Sequence, residues 1–200
     1  SAQPPSLDAM SSLVKLTSTS REIFGSERDV FRGLYENSKN QSFWAQLVAA
    51  VQSVAEPPIM MFSNKGAESM LENSLCNLRS LGLLDHVLVW AVDNWTVSHL
   101  QDAWSDVQTL QFAPFMVVGA ASSTSFERLQ SFGSRGFGLI AANKILVPYA
   151  CAVLQFECVF QDVDIVWRKD LFPTLRAIGK AGIELAVSID GDSDDKIWNS

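Results

Sequence analysis

The sequence predicts an α/β fold: a mainly parallel sheet flanked by helices, preceded by an N-terminal helical extension. Three observations lead there. Residues 59–62 (Ile-Met-Met-Phe) and 87–92 are short, wholly apolar runs, the pattern of strands covered on both faces. Between them, residues 67–81 carry Leu71, Leu75 and Leu78 at helical spacing. Strand-like and helical stretches then continue to alternate along the chain, which layers helices on a parallel sheet.

The elements follow in order. Residues 1–6 read as a frayed start, and 7–55 as a sparse helical region. Its clearest part is 42–55, with Phe43, Leu47, Val48, Val51 and Val54 on one face and Ser42 placed to cap it. Glu56-Pro57-Pro58 ends that helix, because proline lacks the N–H donor and restricts the residue before it. We place a boundary there: residues 1–56 form an extension or stem, and 57–200 the main domain. Ser63-Asn64-Lys65-Gly66 is a turn, and Gly82 stops the next helix. The strand 87–92 ends at Asp93, and a helix around 98–105 leads to short strands near 107–110 and 115–118. Residues 120–138 form a long Ser/Gly-rich loop of the kind that usually serves function. A helix over 139–156 carries Lys144, with Pro148 as a kink. Strands at 158–160 and 183–189 complete the set.

Composition narrows the class. Two hundred residues suit one domain or a piece of a larger one, and 48% hydrophobic against 18% charged excludes a disordered tail or coiled coil. The net charge of −7 argues against a nucleic-acid partner. The acids are uneven: residues 157–200 hold nine acids and five bases, against thirteen and ten before them. That local excess suggests a cation site. Cys76, Cys151 and Cys158 include no CxxC pair, which argues against structural zinc. They read as buried free thiols, with a single bridge as the alternative. No run reaches the roughly 18 apolar residues of a membrane span. Sequons at Asn40 and Asn94, and a start without Met, suggest a secretory route with an anchor upstream.

The chemistry-bearing stretch is Phe160-Gln161-Asp162-Val163-Asp164-Ile165-Val166-Trp167. Two carboxylates stand two residues apart where a buried strand ends, and ligands of open α/β sheets bind at such ends. Alternation along an extended segment would put both on one side. Like charges so close call for a compensating cation, and hard oxygen ligands suit Mg²⁺ or Mn²⁺ bridging to a diphosphate. The bland reading has one aspartate capping the following turn and the other solvated.

These residues also resemble a family. Asn143-Lys144-Ile145-Leu146, then Val159 through Trp167, then Asp170-Leu171-Phe172-Pro173, look like the nucleotide-diphospho-sugar transferases, glycosyltransferase family 77 among them. Upstream, Met61-Phe62-Ser63-Asn64-Lys65-Gly66, Leu71 to Leu78, Leu81-Gly82-Leu83 and Val87-Leu88-Val89 to Asp93 follow the family's first strand, helix and second strand. Asn199-Ser200 resembles the start of its NSGF segment. The likeness spans about residues 58–200. It implies a GT-A (Rossmann-like) fold and a metal-dependent hexosyl- or pentosyltransferase. The donor would be a nucleotide-diphosphate sugar, in the first instance a UDP-sugar. The acceptor would be a carbohydrate or glycoprotein hydroxyl, with retention at the anomeric carbon. It further implies that Asp162 and Asp164 hold Mn²⁺ or Mg²⁺ and the diphosphate, that Asp93 lines the nucleotide pocket, and that Asp190 contacts the donor sugar as the catalytic residue. The full-length protein would be a type II membrane protein of the Golgi lumen, and the chain its donor half, truncated at the C-terminus.

Other residues are weighed against blander roles. Asn64 follows the first strand and suits an amide contact to uracil, or is a plain turn residue. Lys144 faces an anionic site and reaches the diphosphate, or is solvated. Arg135 lies in the Gly-Ser loop, and Trp198 could stack on a sugar. Trp167 suits packing, Asn73 lacks direct chemistry, and Asp192, Asp194 and Asp195 suit a solvated loop. The only histidines, His86 and His99, lie upstream of the acidic pair. Two rivals stay open. A haloacid-dehalogenase-type phosphatase also uses D-x-D-x-V after a strand, with Ser188 ending a later one. A non-catalytic nucleotide-sugar binder is the other.

Overall fold

The computed structural model describes residues 41–111, 144, 147, 148, 151 and 156–182, with the backbone alone for 41–44. The chain divides into two compact units, residues 1–166 and 167–200. The strand read at 115–118, the loop 120–138 with Arg135, the strand 183–189, and Asp190, Asp192, Asp194, Asp195 and Trp198 lie outside the described residues, as do the Ser42 cap and the Phe43 side chain.

The first unit holds helix α1 (Gln41–Gln52), strand β1 (Ile59–Ser63), helix α2 (Glu68–Ser80), strand β2 (Val87–Ala91), helix α3 (Asn94–Ala103), strand β3 (Gln108–Gln111) and strand β4 (Val159–Gln161). All pairings are parallel, and the strand order is β3-β2-β1-β4. Every residue of β1 and β2 is buried, which is why both read as continuous apolar runs. Register pairs Met61 with Val89 on one side and with Gln161 on the other. Val92 N–H donates to Ser63 O at 3.0 Å, and Val159 N–H to Pro58 O at 2.9 Å, extending the ladders by a residue.

Alternation gives the sheet two faces. Met60, Phe62, Leu88, Trp90, Val92 and Leu110 form one core cluster with Leu47, Ala50 and Val51 of α1 and with Val147 and Cys151. Helix α1 thus shares a core with strands that follow the Glu56-Pro57-Pro58 boundary. On the opposite face Met61 meets α2, where Ser74 Oγ lies 3.6 Å from its sulfur. Residues 144, 147, 148 and 151 are helical, as read for this stretch, but Phe156, read as its last residue, is not.

Boundaries shift for identifiable reasons. Helix α1 stops at Gln52, ahead of the prolines, where Ser53 Oγ donates to Ala50 O at 2.7 Å and competes with the next helical bond. Helix α2 ends as expected at Gly82, whose φ of +70° suits glycine. Leu83 N–H donates to Leu78 O and Gly82 N–H to Arg79 O, the paired bonds that close a helix C-terminus. Helix α3 begins at Asn94, about one turn before the expected start near 98, because Asp93 caps it.

The cysteine reading changes most. Cys151 and Cys158 form a disulfide, and Cys76 is an exposed free thiol. The three-buried-thiol reading fails because the helix bearing Cys151 and the segment entering β4 bring the two side chains within bonding reach, with Cα atoms 6.3 Å apart.

The second unit contributes helix α4 (Phe172–Lys180). Pro173 occupies its first turn, where no donor is lost, and Asp170 Oδ1 accepts Phe172 N–H at 2.8 Å just before it. The Asp-Leu-Phe-Pro stretch is therefore a helix start.

Candidate functional site

Parallel pairing decides what meets. Strands β1, β2 and β4 run in one direction, so the residues after them, Asn64, Asp93 and Asp162, collect along one edge of the sheet. This is the carboxyl edge, where open α/β sheets bind ligands.

Asn64 is buried, and its Oδ1 accepts Ala67 N–H at 3.1 Å, capping the 3-10 turn Lys65–Ala67. Asp93 is also buried. Its Oδ1 accepts Thr96 N–H at 2.7 Å, and its Oδ2 accepts Lys65 N–H at 2.8 Å. Asn64 therefore shapes the loop beyond β1, and Asp93 ties that loop to the one beyond β2. Each carboxylate oxygen keeps a second lone pair. Lys65 places its ammonium over the Trp95 ring, 5.5 Å from the centroid.

Asp162 and Asp164 do not continue the strand. Residues 163–164 form a turn, closed by Ile165 N–H donating to Asp162 O at 3.2 Å. Strand alternation therefore does not orient the pair, and the expectation that extended backbone aligns them is corrected. Val163 is buried and anchors the turn, while Asp164 is exposed. Asp162 is half-exposed, and its Oδ1 accepts from Lys144 Nζ at 2.6 Å. The structure thus joins Lys144 to the acidic pair. The carboxylate already takes a cationic partner while keeping access to solvent, and the pair offers only hard oxygen donors. Such donors are of the kind that Mg²⁺ and Mn²⁺ take.

Two residues that sequence reasoning missed support this turn. Ser74 of α2 donates to Ile165 O at 3.1 Å, and Gln161 Nε2 donates to Ser74 Oγ at 3.1 Å. Both polar side chains are buried. The signal was a serine on the apolar face of a helix, one turn from Leu71 and Leu78, and a glutamine closing an apolar strand. Asn73 beside it is exposed, and Trp167, in the second unit, is half-buried.

Among the described residues another group could hold a cation. Glu68 and Glu72, one turn apart on α2, face His99 of α3, with one ligand atom of each within 4.8 Å of the others. His99 Nε2 lies 3.0 Å from Glu72 Oε1 and 4.0 Å from Glu68 Oε1. Trp95 stacks on the imidazole at 4.7 Å between centroids, fixing the ring. The Glu-x-x-x-Glu spacing was visible in the sequence. The partnership with His99 was not, because it depends on α2 and α3 lying side by side.

Among the described residues no helix is long and apolar enough to cross a membrane. A family model described as nucleotide-diphospho-sugar transferase matches residues 82–200. Strand β1 and helix α2, which the sequence likeness also covered, precede that match. No curated protein and no solved structure matches.

Proposed function

The chain belongs to the nucleotide-diphospho-sugar transferase family, and from that premise we propose that its carboxyl edge binds a UDP-sugar with Mn²⁺ or Mg²⁺ and transfers the sugar to a hydroxyl acceptor. The observation that carries the reading is the parallel register of β1, β2 and β4, which gathers Asn64, Asp93 and Asp162 on one edge. Family membership sets aside the phosphatase alternative and leaves catalysis against simple binding to the assay.

In this reading Asp162 and Asp164 hold the cation. When bound, the cation neutralises charge on the diphosphate leaving group. The remaining work belongs to the chain. Asn64 and Asp93 fix the loops that receive the nucleoside. Ser74 and Gln161 hold the acidic turn at the end of β4. Lys144, a part-buried ammonium beside Asp162, contributes donors toward phosphate oxygens. Asp190 is proposed as the donor-sugar contact. The acceptor would be a carbohydrate or glycoprotein hydroxyl, the transfer retaining, and the subgroup glycosyltransferase family 77. Holding acceptor and donor in one geometry supplies much of such an acceleration.

For location we propose the Golgi lumen, with an anchor upstream. The Cys151–Cys158 disulfide supports an oxidising compartment. Asn94 of the second sequon is exposed. Glycosidase treatment of the secreted chain should shift its mobility; an unshifted band on a chain that reaches the lumen would remove the sequon argument.

The deciding experiment is calorimetry with UDP, with and without Mn²⁺. Binding should require metal, vanish with EDTA, and be lost in Asp162→Asn with the circular dichroism spectrum unchanged. Equal binding with and without metal would overturn the reading. Release of free UDP from a UDP-sugar in the presence of hydroxyl acceptors then separates a transferase from a binder.

A further inference from the structure

The ion pair at the centre of the acidic edge carries an inference that rests on the reading above. Lys144 Nζ lies 2.6 Å from Asp162 Oδ1, with side chains 26% and 46% exposed. Among the described residues no other cation contacts Asp162. The lysine comes from a helical residue eighteen positions before Asp162, and the Cys151–Cys158 disulfide ties the segments that carry the two. The ammonium is therefore held at the carboxylate by the fold.

We propose that Lys144 is a built-in counter-ion that competes with the divalent cation for Asp162 and is released to the donor's diphosphate when the metal–nucleotide complex enters. The physical reason is charge. A cation entering alone meets a carboxylate already neutralised and a like charge within a few ångströms, so it binds weakly. A metal–diphosphate complex brings its own anionic oxygens, which take over the ammonium. Lys144 therefore weakens binding of the bare ion and strengthens binding of the complex, so metal and nucleotide load together. No covalent bond is made or broken in this exchange. The lysine keeps its proton and its charge, and only its partner changes.

The test measures Mn²⁺ alone and UDP in saturating Mn²⁺, by calorimetry and by the spin-resonance signal of free Mn²⁺. In Lys144→Met, affinity for Mn²⁺ alone should rise about two- to fivefold, the scale of one part-exposed ion pair. Affinity for UDP with Mn²⁺ should fall by at least as much. A merely structural lysine would move both the same way. Lys144→Arg keeps the charge and should hold Mn²⁺ affinity near wild type. Unchanged or weaker Mn²⁺ binding in Lys144→Met overturns the proposal; if that variant melts early, Lys144→Gln is read by the same criterion. Asp162→Asn separates the two levels. If Mn²⁺ binding survives that substitution, the metal reading of Asp162 fails, and the counter-ion role with it. If Asp162→Asn abolishes binding while the Lys144 variants match wild type, only the counter-ion role fails.

Discussion

Asp93 and Lys65 join the ends of two neighbouring strands, the carboxylate Oδ2 accepting the lysine's backbone N–H at 2.8 Å. The other oxygen caps α3 at Thr96. One buried side chain thus fixes the loop after β1 and the helix after β2. Asp93→Ala should cost about 2–3 kcal/mol, from a lost cap and an orphaned amide. Asp93→Asn should cost less, since its single carbonyl oxygen still serves one donor. Urea melts of both variants measure it, and wild-type midpoints would show that the link carries no stability.

Ser74 takes a hydrogen bond from Gln161 and gives one to Ile165 O. Ser74→Ala leaves a buried amide and a carbonyl short of a partner, at about 1–3 kcal/mol. Because Ile165 closes the turn that carries Asp162 and Asp164, metal-dependent UDP binding should weaken as well. Stability lost with UDP affinity intact would mean that the turn holds its shape without this relay.

The disulfide closes a short loop, with a sequence separation of 7. A loop of that size is worth about 2 kcal/mol by chain entropy. The unfolded native protein should titrate one thiol, Cys76, and three after reduction. Paired Cys151→Ser and Cys158→Ser should lower the melting temperature. Three reactive thiols before reduction would contradict the bridge.

Among the described residues two acidic groups are candidate cation sites. The assignment to Asp162 and Asp164 predicts that His99→Ala and Glu72→Gln leave metal-dependent UDP binding within about twofold, while Asp164→Asn reduces it tenfold or more, the loss of a charged ligand. The reverse pattern would move the donor's metal to Glu68, Glu72 and His99.

Much of the fold was legible because its signals are local. The apolar run 59–62 has no polar side to face water, so it became a strand buried on both faces. Leu71, Leu75 and Leu78 recur at the helical period, and Gly82 supplies the positive φ that ends the helix. The same local logic placed Asp162 and Asp164 just past a strand end, where the family likeness also put them.

What the sequence by itself determined, then, is the order and type of the described elements and the chemical character of the acidic pair, because periodicity, turn residues and charge act over a few neighbouring positions. The partnerships were decided only by the tertiary structure. Lys144 reaching Asp162, Ser74 meeting Gln161, Cys151 bonding Cys158 and His99 facing Glu72 all join residues on different elements. Their meeting depends on which strands pair and which helices lie side by side. The turn at 163–164 belongs here too: alternation along an extended segment would put both aspartates on one side, but Val163 is buried and the Asp162 carbonyl accepts the Ile165 N–H. Long-range packing overrules local alternation wherever burying one apolar side chain and closing one backbone hydrogen bond outweighs extending the chain.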